Sequence, residues 1–111
     1  MNDDKPIRKL VSLLLEHAQK QGAEELVIGV PIGKQTPVRC KTKSGLQEVQ
    51  PFPAVLRPAV VDELARLAKI EGGKFPKEGV LDFIASGTSS KWRLKAPSAE
   101  AECILHRLAI E

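Results

Sequence analysis

Apolar residues at Ile7, Leu10, Val11, Leu14, Leu15 and Ala18 recur at the three- and four-residue spacing of one helix face. The spacing predicts an amphipathic helix with Pro6 in its first turn and Asp3 or Asp4 as its cap. Gly22 is its expected stop. Residues 25–30 then read as a strand. Their run LVIGV is nearly continuously apolar, as in a central or doubly covered strand. Pro31-Ile32-Gly33 turns the chain. Residues 37–43 and 46–50 read as a hairpin closed around Ser44-Gly45. Pro51 and Pro53 punctuate the approach to a second helix, carried by Val60, Val61, Leu64, Leu67 and Ala68. Pro58 falls in its first turn and Gly72-Gly73 at its end; a kinked helix from Ala54 is the alternative. Three more strands are expected, at 80–86, 91–96 and 102–110, with turns at 87–90 and 97–99. The order α-β-β-β-α-β-β-β with tight turns predicts antiparallel pairing in a single α+β domain over residues 1–111.

Composition adds limits. The chain has 111 residues, of which 42% are hydrophobic and 28% charged, so it can form a core and is not of the disordered class. Three Phe, one Trp and no Tyr make that core aliphatic, with Trp92 and Phe52 as its aromatic anchors. The length leaves little room for a nucleotide fold and a substrate domain together. A net charge of +3 is too small to argue nucleic-acid binding. Cys40 and Cys103 lie far apart, without the spacing of a disulfide framework or a zinc site, and read as small hydrophobes. No metal site and no cofactor is expected. The start has no signal-peptide pattern and no apolar run approaches a membrane span. The expected setting is therefore soluble, reducing and cytoplasmic, without membrane insertion. Met1 and the uninterrupted start favour a complete small protein over a fragment.

Few residues suggest chemistry. The segment Gly29-Val30-Pro31-Ile32-Gly33-Lys34-Gln35-Thr36 superficially resembles a phosphate loop. It lacks the spacing between glycines and the Ser or Thr after Lys, Pro31 removes an amide, and no helix follows. It reads as a β-turn. Arg39, Lys41 and Lys43 alternate along one strand and so share one face; Lys91, Arg93 and Lys95 do the same on another. These six residues are the candidate partner- or anion-binding set. Their simplest reading is the solvated side of an antiparallel sheet; the functional reading is a surface for an anionic partner. His17 and His106 have no Cys, Ser or carboxylate at a recognisable spacing, so no catalytic constellation emerges. Asp82 reads as an exposed edge residue or the partner of a stripe cation. Phe75 reads as a loop aromatic tucked against the domain edge.

The run Gly22-Ala23-Glu24-Glu25-Leu26-Val27-Ile28 resembles the "GASDIHIE" segment that opens the N-terminal domain of type II secretion and type IV pilus motor ATPases. Residues 38–46 resemble the following "VRFRVDGVL" hairpin. Residues 91–96 and 103–108 resemble the later strand pair of that domain. The matches are collinear over about residues 7–110. The resemblance implies a PAS-like antiparallel sheet with two main helices packed on it. In that family the domain precedes an ATPase domain and its strand arginines approach the nucleotide. Arg39 and Arg93 match such arginines, Lys41 replaces one, and His106 or Arg107 occupies the place of another. The aspartate and histidine of the opening segment are missing, and these residues contain no ATPase domain.

The expected function is a non-enzymatic interaction or regulatory module linked to a secretion, pilus or motility system. It would dock through a basic sheet face or edge on a motor ATPase, a motility regulator or a second copy of the chain. The alternatives are a nucleic-acid-binding protein using the stripes, which is weaker because only Trp92 offers a stacking ring, and a PAS-like small-molecule sensor.

Overall fold

The computed structural model describes residues 4–70, 74–85 and 87–108. Helix α1 spans Asp4–Lys20 and buries Val11, Leu14, Leu15 and Ala18, with Ile7 and Leu10 packed beside them. Its end is set by Gly22, at φ +67°, a conformation open to glycine at little cost. The Ala23 N–H then donates to the Ala18 carbonyl at 2.9 Å and closes the last turn. The expected cap Asp3 lies outside the described residues.

Six strands follow: β1 (Glu25–Ile28), β2 (Gln35–Thr42), β3 (Gly45–Pro53), β4 (Lys77–Ala85), β5 (Thr88–Ala96) and β6 (Cys103–Arg107). A single 3-10 turn, Ala54–Leu56, leads from β3 into α2, Arg57–Leu67. The strands form one antiparallel sheet in the order β3-β2-β1-β6-β5-β4. The expected element order α-β-β-β-α-β-β-β is the observed one. β1 is central, hydrogen-bonded to β2 on one side and β6 on the other, which accounts for its apolar run.

Both helices pack on one face of the sheet. Leu15 and Leu64 from the helices meet Leu26, Ile28, Val38, Leu81, Leu94 and Leu105 from the strands. Trp92 is fully buried and donates its Nε1–H to Ser90 Oγ at 2.9 Å. Ser90 Oγ donates in turn to Gln19 Oε1 at 2.8 Å, and Gln19 Nε2 reaches the carbonyls of Ala85 and Thr88. This chain of donors pins the end of α1 to the β4–β5 turn. Cys40 and Cys103 are buried as small hydrophobes, and Phe52 is buried as an anchor. No helix among the described residues is long and apolar enough to cross a membrane.

Several boundaries differ from the expectation. β1 stops at Ile28, not Val30: the Gly29 N–H still donates to the Pro37 carbonyl at 2.9 Å, and Pro31 then turns the chain. β3 runs through Pro51 and Pro53, beyond its expected end at residue 50. It is an edge strand, where a missing N–H breaks no ladder, and its register shifts opposite Thr36 and Val38 to take up an extra residue. α2 ends at Leu67 rather than at Gly72-Gly73, which lie outside the described residues. Lys69, at φ +58°, makes the reversal and lets Ile70 donate its N–H to the Ala65 carbonyl at 2.9 Å. β4 begins three residues early, at Lys77. β5 begins at Thr88, so Thr88, Ser89 and Ser90 belong to the strand and not to a turn. β6 is shorter than expected, and residues 109–111 lie outside the described residues.

Candidate interaction surface on the open face

Strand register decides which side chains meet on the face without helices. Paired residues point to the same side. One row runs Glu48, Arg39, Val27, Ile104, Lys95 and Glu78 across all six strands. The next runs Leu46, Lys41, Glu25, His106, Arg93 and Val80. A third pairs Asp82 with Lys91 at the β4 side. The two stripes therefore do share one face, with Arg39 and Lys95 three strands, or about 14 Å, apart.

The face is not basic, which corrects the expectation. Five stripe cations, Arg39, Lys41, Lys91, Arg93 and Lys95, stand among five carboxylates, Glu25, Glu48, Glu78, Asp82 and Glu102. Arg39 Nη2 donates to Glu102 Oε2 at 2.7 Å, and Lys91 Nζ to Asp82 Oδ1 at 2.8 Å. Asp82 is thus both exposed at the edge and paired with a stripe cation. His106 Nδ1 lies 3.3 Å from Glu25 Oε2. The carboxylates come from neighbouring strands, which alternation along one strand cannot reveal. Lys43 is not a strand residue: β2 ends at Thr42, and Lys43 sits exposed in the β2–β3 turn. It borders a shallow depression with Lys41, Glu25 and His106. Of His106 and Arg107, His106 lies on this face beside Arg93. Arg107 points to the covered side, 5.9 Å from the Trp92 ring centroid.

The exposed ion pairs are individually weak, each about 0.2–1 kcal/mol. Together they offset the charge of the stripes. Exposed Leu46, Val80 and Ile84, at 62%, 42% and 72%, add apolar surface at the borders of the face. β4 forms one border of the sheet and is nine residues long.

The segment that superficially resembled a phosphate loop is a tight hairpin. Ile32 N–H donates to the Gln35 carbonyl at 2.8 Å and Gln35 N–H returns to Ile32 at 3.2 Å. The strand β2 follows it, so no helix terminus faces an anion there. Among the described residues no cluster of three His, Cys, Asp or Glu side chains is placed to hold a metal. His17 is exposed on α1 and Phe75 is half-buried against the core.

Two further cations, outside the candidate set, are buried. Arg57 is 5% exposed and Lys77 2%. Lys77 heads the alternation Lys77, Gly79, Leu81, Phe83, which places it on the covered side once the strand start is known. Arg57, directly before Pro58, carries no such signal. No protein-family model matches the chain, and no curated protein matches it.

Proposed function

We propose that the chain is a non-catalytic interaction module that docks on a protein partner through the open face of its sheet and the adjoining β4 edge. The carrying observation is the asymmetry of the sheet. One face holds both helices, and the other presents interleaved charges between exposed Leu46 at its β3 border and exposed Val80 and Ile84 at its β4 border. A long edge strand adds main-chain donors and acceptors for strand addition.

Interleaved charge favours a partner of matching pattern over a polyanion, because like-charge contacts reject misregistered partners. Nucleic acid is the weaker reading for the same reason: each phosphate near Arg39 or Lys91 would also meet Glu102 or Asp82. The resemblance to the N-terminal domain of secretion and pilus motor ATPases supports a cytoplasmic partner of that kind, a motility regulator or a second copy of the chain. In support stand the antiparallel sheet with two helices that this resemblance implies and the positions of Arg39, Lys41 and Arg93 on the open face.

The test is affinity capture from native lysate with wild type and the double variant Arg39→Glu, Arg93→Glu. The variant is expected to lose partners while its thermal midpoint falls by only a few degrees, because Arg93 is exposed and the surface pair of Arg39 with Glu102 is weak. Wild-type capture by the variant would defeat the reading.

A further inference from the structure

A cavity of about 230 Å³ opens on the helix-covered side, between the start of α2, the start of β4 and the β5–β6 loop. Arg57 and Lys77 line it, at 5% and 2% exposure, and Phe75, Pro58, Val61 and Pro31 form apolar walls. Arg57 gives one N–H each from Nε, Nη1 and Nη2 to the carbonyls of Gly29, Ala99 and Ala101. A guanidinium has five N–H groups, so two remain beyond these bonds. Lys77 Nζ donates to Asp62 Oδ1 at 3.0 Å and lies 4.9 Å from the Phe75 ring centroid. The Asp62 side chain is at the rim, 71% exposed.

Two desolvated positive charges thus face a cavity with one carboxylate, and that carboxylate stands largely in water. Carbonyl dipoles take three of the Arg57 donors but bring no opposing charge. Burying a cation is costly unless an anion accompanies it. We propose that this cavity is a binding site for a small organic anion. Its acidic group, a carboxylate or phosphate, sits against Lys77 and Arg57, and its apolar body lies on Phe75, Pro58 and Val61. The volume is below the roughly 300–1,000 Å³ of drug-sized pockets and limits the body to about one ring. Asp62 is the internal competitor, because the ligand's acidic group replaces it on Lys77.

The test is titration of isotope-labelled protein with benzoate and with phenyl phosphate, followed by amide chemical shifts, with neutral benzamide as the control. At least one anion is expected to give saturable shifts at Asp62, Phe75, Lys77 and Ala99, and benzamide none. Lys77→Met, which keeps the side chain's bulk, is expected to weaken that binding about tenfold or more. Asp62→Asn is expected to tighten it, up to about fivefold, because Lys77 loses its competitor; a merely structural pair would not respond in that direction. Absence of saturable shifts with both anions overturns the proposal. So do equal shifts with benzamide, unchanged affinity in Lys77→Met, or weaker binding in Asp62→Asn.

Discussion

Arg57 Nε donates to the carbonyl of Gly29 at 2.8 Å, across 28 residues of chain. The same planar fork reaches Ala99 at 2.9 Å and Ala101 at 2.6 Å. One side chain at the start of α2 therefore fixes both the end of β1 and the loop that delivers β6 to its side. Arg57→Met leaves three carbonyls without their donor and is expected to destabilise the fold by about 3 kcal/mol. Arg57→Lys keeps the charge, reaches fewer carbonyls and should fall between. Urea denaturation measures both, and an unmoved midpoint for Arg57→Met would remove the clamp from the account.

Thr36 presents the opposite situation. It is fully buried opposite Phe52, and its Oγ1 has no hydrogen-bond partner among the described residues. Replacing a buried unpaired hydroxyl by a methyl of similar shape removes a desolvation cost. Thr36→Val is expected to be neutral or to stabilise by up to about 1 kcal/mol. A clear loss in denaturation midpoint would mean that the hydroxyl has a partner.

Glu63 on α2 accepts from Arg66 Nε at 2.8 Å and Nη2 at 2.6 Å, with Arg8 at 4.0 Å. The Arg66 hydrogen bonds hold its carboxyl below the ordinary 4.5; burial opposes them, and the charges of Arg66 and Arg8 assist. The unfolded chain then takes up the proton more readily than the folded one. The contribution of this cluster is complete above pH 4.5 and is lost as pH falls through the lower folded value. Wild type should exceed Glu63→Gln in stability at neutral pH, with the gap narrowing below pH 4.5 in denaturation curves. A gap that does not change with pH would contradict this.

Burial pushes the Cys103 thiol up to about 12, against the charges of Arg57 and Lys77, and burial also raises Cys40. Both thiols should resist a disulfide reagent at mildly alkaline pH in the native protein and react once urea unfolds it. A raised folded value contributes stability that is present below pH 9 and lost as pH rises toward 12. Rapid labelling of the native chain would show that one of them is reachable.

Much of the architecture is legible from local pattern. Val11, Leu14, Leu15 and Ala18 announce the buried face of α1, and Trp92, Leu94 and Ala96 announce the inner face of β5. Periodicity reports which side of an element is apolar, and it does so without its neighbours. The course of β3 through Pro51 and Pro53 is not legible that way, because tolerance of proline depends on the strand lying at an edge. Nor is the end of α2, where Lys69 adopts a left-handed conformation so that Ile70 can pack on Gly79. Only the alternation of Arg39 and Lys41, or of Lys91, Arg93 and Lys95, is visible along the chain. The carboxylates that interleave with them arrive from other strands.

The order of elements, the covered sides of α1, α2, β2 and β5, and the outward alternation of Arg39 with Lys41 and of Lys91, Arg93 and Lys95 follow from residue spacing alone. The placement of β6 beside β1, the pairing of Arg39 with Glu102, and the burial of Arg57 and Lys77 around one cavity belong to the tertiary structure. The physical reason is range. Side-chain alternation is set within a few residues by backbone geometry. A cation's partner, here the carbonyls of Gly29 and Ala101 or the carboxylate of Asp62, is set by which distant segments the register brings together.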